Sequence, residues 1–162
     1  MTRQHRKRQW LALAGFLALA FLCAGIGALA TSNAREFYAA LVKPEWAPPG
    51  SVFAPVWTTL FFLMGVAAWL VWRARGWNGA LTLFCAQLVA NALWSWLFFA
   101  WQRGALAFVE VLVLWAMIAA TLLAFWRIRP LAGALLVPNL AWVTFASALT
   151  WATWQRNPAL LG

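Results

Sequence analysis

The sequence predicts an all-α integral membrane protein: a five-transmembrane-helix bundle with a structured first loop acting as a lid. Three observations predict it. The chain is 65% hydrophobic and 9% charged, against roughly 25% charged in a soluble domain. It contains five apolar runs, Trp10–Ala30, Phe53–Trp72, Ala80–Trp101, Ala105–Trp126 and Leu131–Trp154, each long enough at ~1.5 Å per residue to cross a ~30 Å hydrocarbon core. The runs lack the period-two alternation of barrel strands, so helices are the remaining way to satisfy their backbones in lipid. With 162 residues and three acids, such a chain could not bury its apolar surface in water. Disorder, a disulfide scaffold and a typical soluble enzyme are excluded.

Residues 1–9 are read as a basic tail and residues 10–162 as one transmembrane domain, with helices at 10–30, 53–72, 80–101, 105–126 and 131–154. The first run, with Ala28-Leu29-Ala30 near its end, has some features of a signal peptide, but its length exceeds the ~7–15 residues of an h-region. A retained helix is expected. The connection 31–52 exceeds the length at which unstructured loops become uncommon. Asn33 and Glu36 form a capping-box-like start to a short helix over 34–42 with Phe37 and Leu41 on one face. Pro44, Pro48 and Pro49 end it and stiffen the remainder of the connection. The other connections are short, so the last four helices run antiparallel as neighbours.

The net charge of +9 comes from twelve Lys/Arg against three Asp/Glu. Arg3, Arg6, Lys7 and Arg8, with Arg73, Arg75, Arg127 and Arg129, fall on one side; Arg35, Lys43, Arg103 and Arg156 fall on the other. Eight against four predicts a cytoplasmic N-terminus if the chain sits in an inner membrane. No polar domain is left for a nucleic-acid partner; membrane lipid is the expected surrounding.

Of fourteen tryptophans, those at run ends suit an interfacial aromatic belt. Trp57, Trp94, Trp96, Trp115 and Trp142 lie inside runs, where a buried indole N–H needs a partner. Gln87, Asn91 and Ser95 are spaced four apart and share one helix face, so they serve as interhelical glue or line a cavity. Counting along the helices puts Trp57 about 6 Å, Trp94 about 10 Å, Asn91 about 15 Å and Trp142 about 18 Å from the lid end. Glu110, the one acid within a span, is read as a partner of Arg103 or as snorkelling outward. Pro138 interrupts the fifth helix, and Asn139 is placed to satisfy the carbonyl that Pro138 frees. With no intramembrane His and no C-x-x-C pair, no metal site is expected and no acid–base pair is available for catalysis.

Three stretches carry a family resemblance: LVKPEWAPPGSVFAPVWTTL (41–60), QLVANALWSWLFF (87–99) and LVPNLAWVTFASALTWATW (136–154). They resemble the tryptophan-rich sensory protein family, which includes the translocator protein. The resemblance implies a five-helix bundle, usually a homodimer, binding porphyrins and other flat aromatic ligands under the first loop. It places ligand contacts at Trp46, Trp57, Asn91, Trp94, Ser95, Trp142 and Ala146. Arg35 and Lys43 at the lid are candidate contacts for propionates. No cofactor is required, and protoporphyrin IX or haem is the expected ligand. The family's usual Tyr after the helix-five Pro is Asn139 here, and its usual Asn after Leu149 is Thr150; an acid is common where Glu110 stands. The resemblance allows two functions: a receptor or transporter for tetrapyrroles with a sensory role, or an enzyme degrading porphyrin oxidatively or in light with Trp57 and Trp142 as participants. A scaffold acting through partners is a third.

Overall fold

A computed structural model of the chain describes residues 3–162; Met1 and Thr2 of the expected basic tail lie outside the described residues. The described residues form seven helices: α1 (Arg3–Leu29), α2 (Ala34–Ala40), α3 (Phe53–Arg75), α4 (Gly79–Ser95), α5 (Gly104–Ile128), α6 (Pro130–Arg156) and α7 (Pro158–Leu161). A 3-10 turn at Gly50–Val52 leads into α3, and a π turn at Trp96–Ala100 extends α4. Five of these segments are long and apolar enough to cross a membrane, as expected. There are no strands among the described residues.

The spans overrun the apolar runs because flanking polar residues continue the intrahelical hydrogen bonds. Thus α1 is already helical at Arg3, inside the expected tail. The helix ends follow local chemistry. Gly76 ends α3 in a left-handed conformation at φ 65°, which glycine adopts without strain. Asn78 caps α4, its side chain accepting from the Ala80 N–H at 2.9 Å. Pro130 occupies the first turn of α6, where its missing N–H is not needed. Asn33 is the exception: its side chain makes no capping bond to α2, so the expected capping box does not form. The helix also stops at Ala40, with Leu41 extended and buried beyond it.

In the bundle, α1 packs on α3 and α4, α5 packs on α4 and α6, and α3 packs on α6. Small residues bring the backbones close, as helix association in lipid requires. A Cβ on Gly65 would stand 2.7 Å from Leu17, and one on Gly133 would stand 2.8 Å from the Trp126 backbone. Two apolar clusters fill the interior. One, towards the Arg3 end, is built around Phe16, Met64, Phe84 and Phe125. The other, towards the first connection, is built around Leu41, Trp94, Phe98, Ile118 and Val143.

Among the interior polar groups, Gln87 is interhelical glue, as its face allowed, whereas Asn139 and Glu110 differ from expectation. Gln87 and Asn139 both donate to the Met64 sulfur, at 3.4 and 3.3 Å. Asn139 therefore ties α6 to α3 through a thioether instead of serving the carbonyl freed by Pro138. Both Glu110 carboxylate oxygens are sealed from solvent without a hydrogen-bond partner. The acid neither pairs with Arg103 nor snorkels, because it sits between the buried positions Ala107 and Val111 of α5.

Substituting Gly133 by Ala should force α5 and α6 apart at the backbone. We expect a loss of about 1–3 kcal/mol, read as a lowered midpoint in thermal unfolding in detergent.

Candidate functional site

The first connection, with α2, lies across one end of the bundle, and aromatic rings hold it there. Phe37 meets Phe98 and Phe99 edge-on at 6.0 and 6.2 Å. A chain of ring contacts then runs from the connection into α6 and α3 and back: Trp46 to Phe145 at 5.8 Å, Phe145 to Trp142 at 5.3 Å, Trp142 to Phe53 at 5.8 Å, and Phe53 to Tyr38 at 5.5 Å. The Tyr38 hydroxyl donates to the Pro48 carbonyl at 2.8 Å. Burial pushes this phenol above its ordinary pKa, which keeps it a donor.

One polar residue fixes the connection to the end of α6. The Asn157 amide accepts from the Val42 N–H at 2.8 Å and donates to the Val42 carbonyl at 2.9 Å and the Thr153 carbonyl at 2.7 Å. This buried side chain thus satisfies both backbone groups of Val42 and ties the connection to α6. Beside it, Lys43 Nζ donates to the Tyr38 and Leu41 carbonyls at 2.6 and 3.0 Å and stands 4.7 Å from the Tyr38 ring.

Beneath the connection is a cavity of about 20 Å³, room for about one water molecule. Tyr38, Phe53, Trp94, Phe98 and Phe99 line it on one side, and Ala146, Leu149, Thr150 and Thr153 on the other. The Trp94 ring stacks on Phe98 at 5.4 Å and 10°. Two buried polar atoms of the lining, Trp94 Nε1 and Thr153 Oγ1, have no hydrogen-bond partner.

Of the residues expected at a site, Trp94 and Ala146 line this cavity. Trp57 stands behind it, half-buried between the two apolar clusters and tilted against Phe61. Trp142 is likewise half-buried, with its own Nε1 unpartnered. Trp46 is 51% exposed on top of Phe145. Asn91 is buried with an unpartnered Nδ2 but is not in the lining. Ser95 faces the other way, its hydroxyl 3.4 Å from where a Gly27 Cβ would be. Lys43 is occupied by loop carbonyls, while Arg35 is exposed. Among the interior tryptophans, Trp96 donates to the Ile26 carbonyl and Trp115 to Thr144, so neither belongs to the site. Among the described residues, no group of three His, Cys, Asp or Glu is gathered for a metal.

The sequence reading missed Tyr38, Phe53, Phe98, Phe99, Thr153 and Asn157. One signal was available: 146, 149, 150 and 153 fall on one helix face, so placing Ala146 at the site placed the others.

The sequence pattern of the TspO/MBR family matches residues 15–155. The chain belongs to the TspO/MBR family. It is 40% identical to the tryptophan-rich protein TspO of Chlorobaculum tepidum over 93% of this chain and 99% of that one. It is 43% identical to the tryptophan-rich sensory protein of Cereibacter sphaeroides over 87% and 91%, and 36% identical to the translocator protein of Bos taurus over 91% of each. As a TspO/MBR protein with five apolar helices, it is an integral multi-pass membrane protein. Of its two departures from the family's usual pattern, Thr150 lies in the cavity wall, whereas Asn139 is bound to Met64 away from it.

Replacing Asn157 by Ala strands both Val42 backbone groups. Stability should fall by about 1–3 kcal/mol. Hydrogen exchange should accelerate over 31–52 and change little at the Arg3 end of the bundle. Glu110→Gln keeps the shape and removes the ionisable group from an apolar setting. The midpoint of thermal unfolding in detergent should hold or rise.

Proposed function

We propose that this protein is a membrane receptor of sensory type that binds tetrapyrroles, such as protoporphyrin IX or haem, and other flat aromatic ligands between the first connection and the outer half of the bundle. The observation carrying this reading is the aromatic-walled cavity with its unpartnered donors, Trp94 Nε1 and Thr153 Oγ1. A buried donor without a partner is a standing energetic penalty, and a ligand bearing acceptors within a π-face relieves it while stacking on the rings. The names of relatives, sensory protein and translocator protein, support the receptor reading.

The cavity as closed is far too small for a porphyrin. Binding on this reading therefore begins with the first connection acting as a lid: Asn157 releases Val42, and the ring contacts from Trp46 to Tyr38 part to admit the ligand's face. Trp57 and Trp142 then come within reach of it. Arg35, exposed at the rim, is a cation for a propionate; Lys43 becomes one only if it leaves its carbonyls.

Quenching of tryptophan fluorescence tests the reading. Metal-free protoporphyrin and haem should bind about equally, because the one His, His5, lies at the end of α1 far from the first connection. Phe at 57 or 142 should weaken binding by less than about tenfold, since stacking contributes roughly 0.5–1.5 kcal/mol beyond area burial and Phe still stacks. Ala at either should weaken it more. No saturable binding of either porphyrin would overturn the proposal. If Trp142→Phe retains porphyrin but loses its breakdown in light, the enzymatic reading replaces the receptor.

Two further expectations accompany it. The N-terminus is cytoplasmic by its eight-to-four excess of cations, and reporter fusions after Arg75 and Arg129 should read cytoplasmic. The protein forms a homodimer through the outward face of α4, where Ala86, Val89 and Leu93 are exposed. Ala86→Leu should weaken self-association in detergent, and an unchanged dimer would place the interface elsewhere.

A further inference from the structure

The end of the bundle opposite the first connection carries eight cations and no acid. Arg3, Arg6, Lys7 and Arg8 belong to α1; Arg73 and Arg75 lie in the last turn of α3, Arg127 in the last turn of α5, and Arg129 between α5 and α6. Glu36 and Glu45 lie in the first connection, and Glu110 lies in the part of α5 nearest it. Topological bias alone would be met by a loose tail. Here the basic segment is a rigid continuation of a transmembrane helix, standing about 10 Å beyond Trp10 at ~1.5 Å per residue.

It is also braced. The Trp69 indole donates to the Gln9 carbonyl at 3.0 Å, and Trp10 stacks on Trp69 at 6.4 Å and 20°. The Arg73 guanidinium covers the same Trp69 ring at 4.6 Å. The brace sets the angle at which α1 leaves the bundle. On the outward side, Gln4, His5, Lys7, Arg8 and Leu11 line an open groove. Leu11, 64% exposed, lies one turn below the two charges on the apolar side. The groove is thus cationic and hydrogen-bonding above and apolar below, which is the order of groups in a phospholipid.

We propose that this groove is a binding site for an anionic phospholipid, with Lys7, Arg8 and Gln4 holding the headgroup phosphate and Leu11 carrying the start of an acyl chain. Basic clusters next to a span attract anionic headgroups by about fivefold per cation. The braced helix adds position, holding Lys7 and Arg8 together over one apolar foot.

The test measures the association of spin-labelled phosphatidylglycerol and phosphatidylcholine with the full chain in phosphatidylcholine vesicles. Phosphatidylglycerol should be preferred by about fivefold or more, and the preference should collapse at about 1 M salt, where screening is nearly complete. Lys7→Gln with Arg8→Gln should lose most of the preference. Arg127→Gln with Arg129→Gln removes equal charge from the same end and should keep most of it. All four side chains are exposed or partly so, and unchanged near-UV circular dichroism would verify that both variants fold. Inorganic phosphate should displace the labelled lipid no more than sodium chloride of equal ionic strength. Absence of preference in the unmodified protein, equal loss in the two variants, or specific displacement by phosphate would each overturn the proposal. The first would mean no site, the second diffuse charge, and the third a site for a free anion.

Discussion

Hydrocarbon offers no hydrogen bonds, and most of this molecule is shaped by that lack. The backbone closes its bonds within helices. Side chains that must be polar find partners inside the bundle or at its ends. The interior solutions are unusual for a soluble protein. Two amides share one methionine sulfur, with the thioether of Met64 accepting from α4 and from α6 at once. A thioether is a weak acceptor, so the arrangement holds three helices together without fully satisfying them. The oxygens of the same two amides remain unpartnered. The bundle is therefore fixed chiefly by close packing, at glycines where the backbones nearly touch, and the polar contacts add register.

The two ends of the bundle solve the problem of leaving the membrane in opposite ways. At the Arg3 end, cations and indoles face outward, and a single ring, Trp69, takes a carbonyl, an arginine and a second indole around it. At the other end the chain turns back over the helices. Its polar backbone is absorbed by Asn157, Lys43 and Tyr38, and its apolar side chains join the outer cluster. Any opening of that region competes with contacts the chain already makes with itself.

The spans were legible because a bilayer imposes a minimum length on an apolar run, and nothing else in a chain of this size produces five. Position along each helix was legible for the same reason: rise per residue is fixed. Direction around the helix was not. Ser95 shares a face with Gln87 and Asn91 by spacing, yet it meets Gly27 of α1, because the π turn and the close approach of α1 begin where that face ends. Lys43 read as a free cation since nothing local reveals that carbonyls only two and five residues earlier would turn towards it. Glu110 read as paired, because Arg103 is near in sequence; two turns into α5 the acid instead sits between buried Ala107 and Val111, while Arg103 at the start of the helix is exposed. The sulfur of Met64 and the amide of Asn157 left no trace at all, since each acts on residues far along the chain.

That last separation has a consequence for the order in which the molecule is completed. Val42 and Asn157 are 115 residues apart, and all of the last four spans lie between them. Chains emerge from the ribosome N-terminus first, and a contact of such range closes only after the intervening elements are in place. During synthesis the first connection waits, with its backbone groups met by water, until the last turn of α6 arrives. A chain stalled before Asn157 would hold its spans in the membrane and leave that end of the bundle unroofed. Completion of the site thereby waits on completion of α6.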